Sequence, residues 1–273
     1  TYTAALNDQG ANNTTTNETF ASASLMLDMG DMGTVGFDQG VGEFGVGTID
    51  DKTPYAYEEQ WTNLGTSNGL RAAGGTNVIG YKNTYMGYTL SLELDKGHTD
   101  NSTVGSTGDG GATGAGTTDS GYNWALTGSP SAGLNVGVGA GSEKATNDGA
   151  SSKDASFSTG FVTYALAGAT VGLQMSDASG GAKGAIGNKV LIAGVSYSVN
   201  ENLAVSFSKM ENEYANGNTL RSTVNAPKAD VVEDTTGIGA SYTMGSAAVR
   251  VLASQGTSIG GTAGNDEDHV EVS

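Results

Sequence analysis

Residues 85–95 read YMGYTLSLELD, and their alternation decides the fold. Met86, Tyr88, Leu90, Leu92 and Leu94 fall on one side of an extended chain, with Gly87, Thr89, Ser91, Glu93 and Asp95 on the other. Successive side chains of a strand point to opposite faces, so this period of two predicts a β-strand with one apolar and one polar side. The same period recurs outward in both directions. Upstream it runs through Tyr2, Ala4 and Leu6, through Ala21, Ala23, Leu25 and Leu27, and through Val35 and Phe37 after a turn at Gly30–Asp31; it returns with Ile79 and Tyr81 in segment 77–83. Downstream it comes as hairpins. Tyr122, Trp124 and Leu126 are answered by Leu134, Val136 and Val138, and Val162, Tyr164 and Leu166 by Val171, Leu173 and Met175. Leu191 to Val199 is answered by Leu203, Val205 and Phe207, Ile238 to Met244 by Ala247 to Ala253, and a last run covers His269 to Ser273.

About fourteen strands are readable in this way. Their connections alternate between short turns and long polar loops, the signature of an up-and-down barrel with two unlike ends. The large apolar residues make one continuous face, and Ser, Thr, Gly, Asn, Gln and charge make the other. A barrel of so many strands is too wide for side chains to fill, so the apolar face is expected outside, against lipid, around a wet polar lumen. Tyr81, Tyr88, Tyr164, Tyr197 and Tyr242 lie on the apolar face beside the short turns, the expected position of an aromatic girdle at one membrane interface.

Composition narrows the chemistry. The 273 residues include 44 Gly, 3 Pro, 2 His and no Cys, which removes disulfides, thiol chemistry and Cys-based zinc sites. No apolar run is long enough for a transmembrane helix, a fact that does not bear on a barrel. A net charge of −17 excludes nucleic acid as a natural partner, because phosphate binding needs clustered Lys and Arg. The chain begins and ends inside strand-like runs, so it is expected to be trimmed at both ends.

Two stretches interrupt the strands at length. Residues 98–121 are Gly, Thr, Ser, Asp and Asn, and read as a solvated external loop. Residues 39–76, QGVGEFGVGTIDDKTPYAYEEQWTNLGTSNGLRAAGGT, are different, because Phe44, Pro54, Tyr55, Tyr57, Trp61 and Leu70 can pack onto something. A structureless insert this long in a compact domain is usually functional or disordered, and these aromatic anchors favour function. It also carries Glu43, Asp50, Asp51, Glu58 and Glu59.

From MGTVGFDQG (32–40) through this acidic loop to GTNVIGYKNTYMGYTLSLELDKG (75–97), and over essentially its whole length, the chain resembles a Gram-negative general diffusion porin. The type it resembles is the 16-stranded trimeric kind common in alphaproteobacteria. The resemblance implies a single transmembrane β-barrel domain in an outer membrane, in contact with the lipid bilayer and lipopolysaccharide. It also implies a homotrimer that passes ions and small hydrophilic solutes without enzymatic activity. In such porins the third external loop folds into the barrel and narrows the pore, and residues 39–76 stand in that place. Counted so, the chain starts at the third strand and stops inside the sixteenth.

The loop acids Asp50, Asp51, Glu58, Glu59 and Glu43 are then the expected acidic side of a constriction. Lys82 and Arg250 have lumen parity and are its expected basic wall, with Arg71 at the loop's return a third candidate. Glu93 and Asp38 would also line the lumen. The excess of 29 acids over 12 bases predicts mild cation selectivity. The adjacent Asp50 and Asp51 are also the best candidate for a bound calcium ion, which takes several oxygen ligands. The rival reading is a secreted, calcium-binding β-structured adhesin or surface protein, suggested by the stretch GGTAGNDED at 260–268, although such folds need tandem repeats. A barrel enzyme would need a nucleophile beside His98 or His269, and none is evident, so no catalytic residue is assigned.

Overall fold

The computed structural model describes residues 2–6, 20–39, 42–70, 78–97, 118–145, 153–181, 187–215 and 230–273. They form fourteen strands in one antiparallel sheet, each paired with its sequence neighbours. In chain order these are β1 (Tyr2–Leu6), β2 (Phe20–Asp28), β3 (Thr34–Gln39), β4 (Val78–Tyr85), β5 (Tyr88–Gly97), β6 (Thr118–Ser131) and β7 (Leu134–Ala145). They continue with β8 (Lys153–Leu166), β9 (Ala169–Gly181), β10 (Asn188–Ser198), β11 (Leu203–Tyr214), β12 (Val231–Met244), β13 (Ala247–Thr257) and β14 (Glu267–Val272). This is an up-and-down meander, as the alternation of short and long connections requires.

The turn between β4 and β5 shows why the ladder reverses where it does. Tyr85 pairs with Tyr88, leaving Met86 and Gly87 at φ 52° and 81° as a two-residue loop. Positive φ at both positions is the hairpin geometry whose twist matches the flanking strands, and Gly at the second position relieves it. The period-two reading assigned Met86 to the strand's apolar face; it sits at the hairpin tip instead, because the turn takes precedence over the pattern there. Ala167 and Gly168 repeat the geometry between β8 and β9, with φ 49° and 84°.

At the opposite end the strands run further than the large apolar residues indicated. β8 begins at Lys153 and β12 at Val231, inside stretches that read as polar loop. Their upper outward positions, with those of the strands between, are Ser156, Ser158, Asp177, Lys189, Glu211 and Asp234, and Lys209 bridges Glu211 at 2.8 Å and Asp234 at 2.9 Å. The backbone ladder continues beyond the apolar band because its hydrogen bonds do not depend on what the outward side chains face.

The two faces differ as the alternation demands. Leu25, Leu27, Ile79, Leu94, Met175, Phe207, Ile238 and Val270 are exposed on the outer face. Ser24, Asp38, Ser91, Glu93, Asn123, Gln174 and Ser208 are buried on the inner one. An apolar outside and a buried polar inside inverts the soluble arrangement and suits a tube whose solvent outside is lipid. What buries the inner face is the stretch 42–70, which lies against it.

The inner face is not uniformly polar. Phe157, Val190, Ile192, Met210 and Leu252 occupy inward positions and are almost fully buried. The alternation gave the large apolar residues to the outer face and did not single these five out. They mark where something apolar lands on it.

Candidate functional site

Residues 42–70 leave β3 at the long-loop end, cross the inner wall and come back. Their first half is seated by shape and by neutral hydrogen bonds. Phe44 is wholly buried in a recess between Gly36 and Gly80, where a Cβ on Gly80 would stand 1.9 Å from its ring. The next residues wind into a short 3-10 turn, Gly45–Ile49. The amides at its start, which have no partner within the turn, are met by the wall: Gly45 N–H donates to Ser91 Oγ (2.8 Å) and Val46 N–H to Asn123 Oδ1 (2.7 Å). Gln174 closes the segment by donating from Nε2 to Ile49 O and accepting from Lys52 N–H, both at 3.0 Å. Val46 and Ile49 pack with Leu70, Ala125, Phe157 and Ala178. Pro54 then fills the space left by Gly172 and Gly194.

The second half is held by charge and by one apolar landing site. Tyr57 donates its hydroxyl to Glu271 Oε1 at 2.6 Å, Asn63 Nδ2 donates to Glu271 Oε2 at 2.7 Å, and Gly65 N–H donates to Glu267 Oε2 at 2.9 Å. Both acceptors are carboxylates on the inner side of β14. The Glu271 carboxylate raises the Tyr57 phenol pKa above its ordinary value, and burial raises that of Tyr55, so both hydroxyls stay protonated. Tyr55 meets Trp61 edge to face, and Trp61 packs on Val190, Ile192 and Met210. The inward apolar residues of β10 and β11 therefore carry the loop's return.

The residues singled out in the sequence fall as follows. Lys82, on the inner side of β4, pairs with Glu43 at 3.0 Å and lies 5.6 Å from the Phe44 ring centroid. Asp38 Oδ2 accepts Glu43 N–H at 2.7 Å. Arg250 stands 5.9 Å from the Tyr57 ring centroid, within cation–π range. Asp50 and Asp51 both accept from Asn68 Nδ2, the latter at 2.8 Å. Glu59 accepts from Thr62 Oγ1 at 3.3 Å, and Glu58 is half-buried. Glu93 is buried on the inner wall. Arg71 lies outside the described residues. Among the described residues no three His, Asp or Glu converge as a metal site would need. Tyr88, Tyr164, Tyr197 and Tyr242 are exposed on the outer face near the short turns, while Tyr81 is half-buried and donates its hydroxyl to Met32 O at 2.9 Å.

Charge on the inner wall is uneven along its height. Asp38, Glu93, Glu143 and Glu233 lie toward the long-loop end. Toward the short turns the wall is mostly Ser, Thr and Asn, with Met26 and Phe161 among them, joined by Lys82, Arg250 and, at the end of β2, Asp28. The sequence reading missed the groups that seat the loop, namely Ser91, Asn123, Gln174, Glu267 and Glu271. Each has inward parity, so the alternation marked its direction, but no spacing tied it to a loop residue more than forty positions away.

No protein-family model matches this sequence, and no curated protein matches it. Solved structures do. OmpF of Salmonella typhi, in complex with daunomycin, aligns over 93% of this chain and 76% of its own, at 13% identity and a TM-score of 0.64. The outer membrane channel DcaP of Acinetobacter baumannii aligns over 92% and 82%, at 12% identity and a TM-score of 0.55. A porin refined at 1.8 Å aligns over 87% and 75%, at 12% identity and a TM-score of 0.55. The chain therefore has the fold of Gram-negative outer-membrane porins, an antiparallel up-and-down β-barrel.

Proposed function

We propose that the protein is a non-enzymatic outer-membrane channel of a Gram-negative bacterium, passing ions and small hydrophilic solutes by passive diffusion. The observation that carries this reading is the pairing of an exposed apolar outer face with a polar inner face across which a long acidic loop is laid. An inverted barrel has no use for its outer face in water, and an inward loop has no use unless something passes it. The lipid bilayer and lipopolysaccharide are its surroundings in this reading, and a homotrimer its assembly.

Residues 42–70 act as the constriction. Asp50, Asp51, Glu58 and Glu59 supply the acidic side, with Glu43 neutralised in part by Lys82. Arg250, drawn to Tyr57, supplies positive charge beneath the loop, and Glu93 and Asp38 belong to the lumen side of the wall, where the start of the loop covers them. Acid exceeds base along the path, so cations are favoured mildly. Tyr88, Tyr164, Tyr197 and Tyr242, with Tyr81 beside them, form the girdle at the short-turn interface.

Purified protein in a planar bilayer is expected to conduct in discrete steps, with a reversal potential in a KCl gradient that favours K⁺. Neutralising Asp50, Asp51, Glu58 and Glu59 together should move that potential more than neutralising the outer-face acids Asp177, Glu211, Glu213 and Asp268. Anion preference in the unaltered protein would overturn the acidic-loop reading. Absence of conductance would overturn the channel.

A further inference from the structure

Beneath the loop, on the short-turn side, the inner wall holds a cavity of about 410 Å³ between the loop and β5 to β8. This is the size of a small-molecule site, which typically measures about 300–1,000 Å³. Its lining includes Thr48 and Lys52 from the loop and Thr89, Thr127, Asn135 and Thr163 from the wall. No carboxylate lines it. That is unusual for this protein, whose inner wall is otherwise acidic toward the long-loop end.

Lys52 gives the cavity its sign. Its backbone N–H is engaged by Gln174, which fixes the residue's place, but among the described residues its ammonium has no ion-pair or hydrogen-bond partner. Lysine carries three donors and no acceptor, and here they face a space without a counter-charge. The wall supplies groups that both donate and accept. Asn135 already bridges Ser129 and Thr163, accepting from Ser129 Oγ at 2.6 Å and donating to Thr163 Oγ1 at 3.4 Å, while Thr127 and Thr89 present further hydroxyls. Hydroxyl and amide groups that can donate or accept match the alternating pattern of a polyol, and one unpaired ammonium matches one oxyanion.

We propose that this cavity is a binding subsite for a small polyol bearing a single negative group, such as a sugar phosphate or sugar acid, on its passage through the pore. The inference rests on the channel reading and gives that channel a solute class. Acid at the external end and Lys52 below the loop also make the site polar in direction, so such a solute engages most readily from the short-turn side.

The test uses the full chain in a planar bilayer, with glucose 6-phosphate, glucose or inorganic phosphate added to either side at fixed ionic strength. Glucose 6-phosphate from the short-turn side is expected to interrupt the current at a concentration about tenfold below that of glucose or phosphate, the factor worth about 1.4 kcal/mol. Lys52→Met should abolish the advantage over glucose, and Lys52→Arg should keep it. Thr127→Val with Thr163→Val should weaken both sugars and leave phosphate unmoved. Equal block by glucose 6-phosphate and glucose, equal block by phosphate, or an advantage that survives Lys52→Met would overturn the proposal. Steps of conductance without this preference sink the subsite alone, whereas a wild-type protein that gives no steps sinks the channel beneath it.

Discussion

The two halves of the loop reach the same wall by different physics. From Phe44 to Pro54 the chain is fitted into recesses left by inward glycines, and its amides are met by Ser91, Asn123 and Gln174, all neutral. From Tyr57 to Gly65 it hangs on two carboxylates of β14, Glu271 and Glu267. The first half therefore depends on volume and neutral hydrogen bonds, and the second adds charge to the packing of Trp61 on Val190, Ile192 and Met210. A constriction needs both: a part that stays put whatever the salt, and a part whose polar groups remain hydrated enough to line a path for ions.

The largest effect should come from spoiling the volume. Gly80→Val would drive a side chain into the Phe44 ring, and overpacking of this kind costs about 1–3 kcal/mol. The loop's first half should lift from the wall, giving a larger single-channel conductance and a lower temperature for loss of the folded gel mobility. A variant with unaltered conductance would mean that Phe44 does not anchor the constriction.

Replacing the charge should change the conductance less, because Gln can keep the hydrogen bonds in weaker form and Phe44, Val46 and Ile49 stay seated. Glu271→Gln with Glu267→Gln exchanges hydrogen bonds to charged acceptors, worth about 1.5–3 kcal/mol, for neutral ones worth about 0.5–1.5. Chymotrypsin should then cut after Tyr57 or Trp61 faster than in the wild type, while Phe44 stays protected. Equal acceleration at both places would erase the distinction between the halves. The smallest effect is expected from Asn68→Ala, which removes the amide shared by Asp50 and Asp51. Bonds to charged acceptors are worth about 1.5–3 kcal/mol, but these tie the loop to itself and not to the wall, so the conductance should change least and the loss of this donor should raise cation preference only slightly in the KCl gradient.

The fold was legible in the sequence because a strand's period is short and a lipid-facing side chain must be apolar. Leu90, Leu92 and Leu94 point outward for that reason, and nothing from elsewhere in the chain is needed to know it. The hairpin at Met86 was less legible, because a turn of two residues leaves the period intact on both sides. The loop's importance was legible from Phe44, Tyr55, Tyr57 and Trp61, which have no business in a solvated excursion. Its landing sites were not. Val190 and Ile192 form part of an unbroken apolar run, VLIAGV (190–195), that breaks the alternation and could have flagged a covered patch on the inner wall. Glu271 carries no such mark, since its partners Tyr57 and Asn63 lie more than two hundred residues away and meet it only when the barrel curves round.

The most direct test of a loop standing in an open aqueous path uses the absence of cysteine from this chain. Asp51→Cys places one thiol at an exposed loop position with no background from any other. A small charged methanethiosulfonate reagent added to conducting channels should react there and lower the current in discrete, reductant-reversible steps. Channels that take up the label at that thiol with no change in current would contradict the account, for the loop would then lie away from the path that ions take.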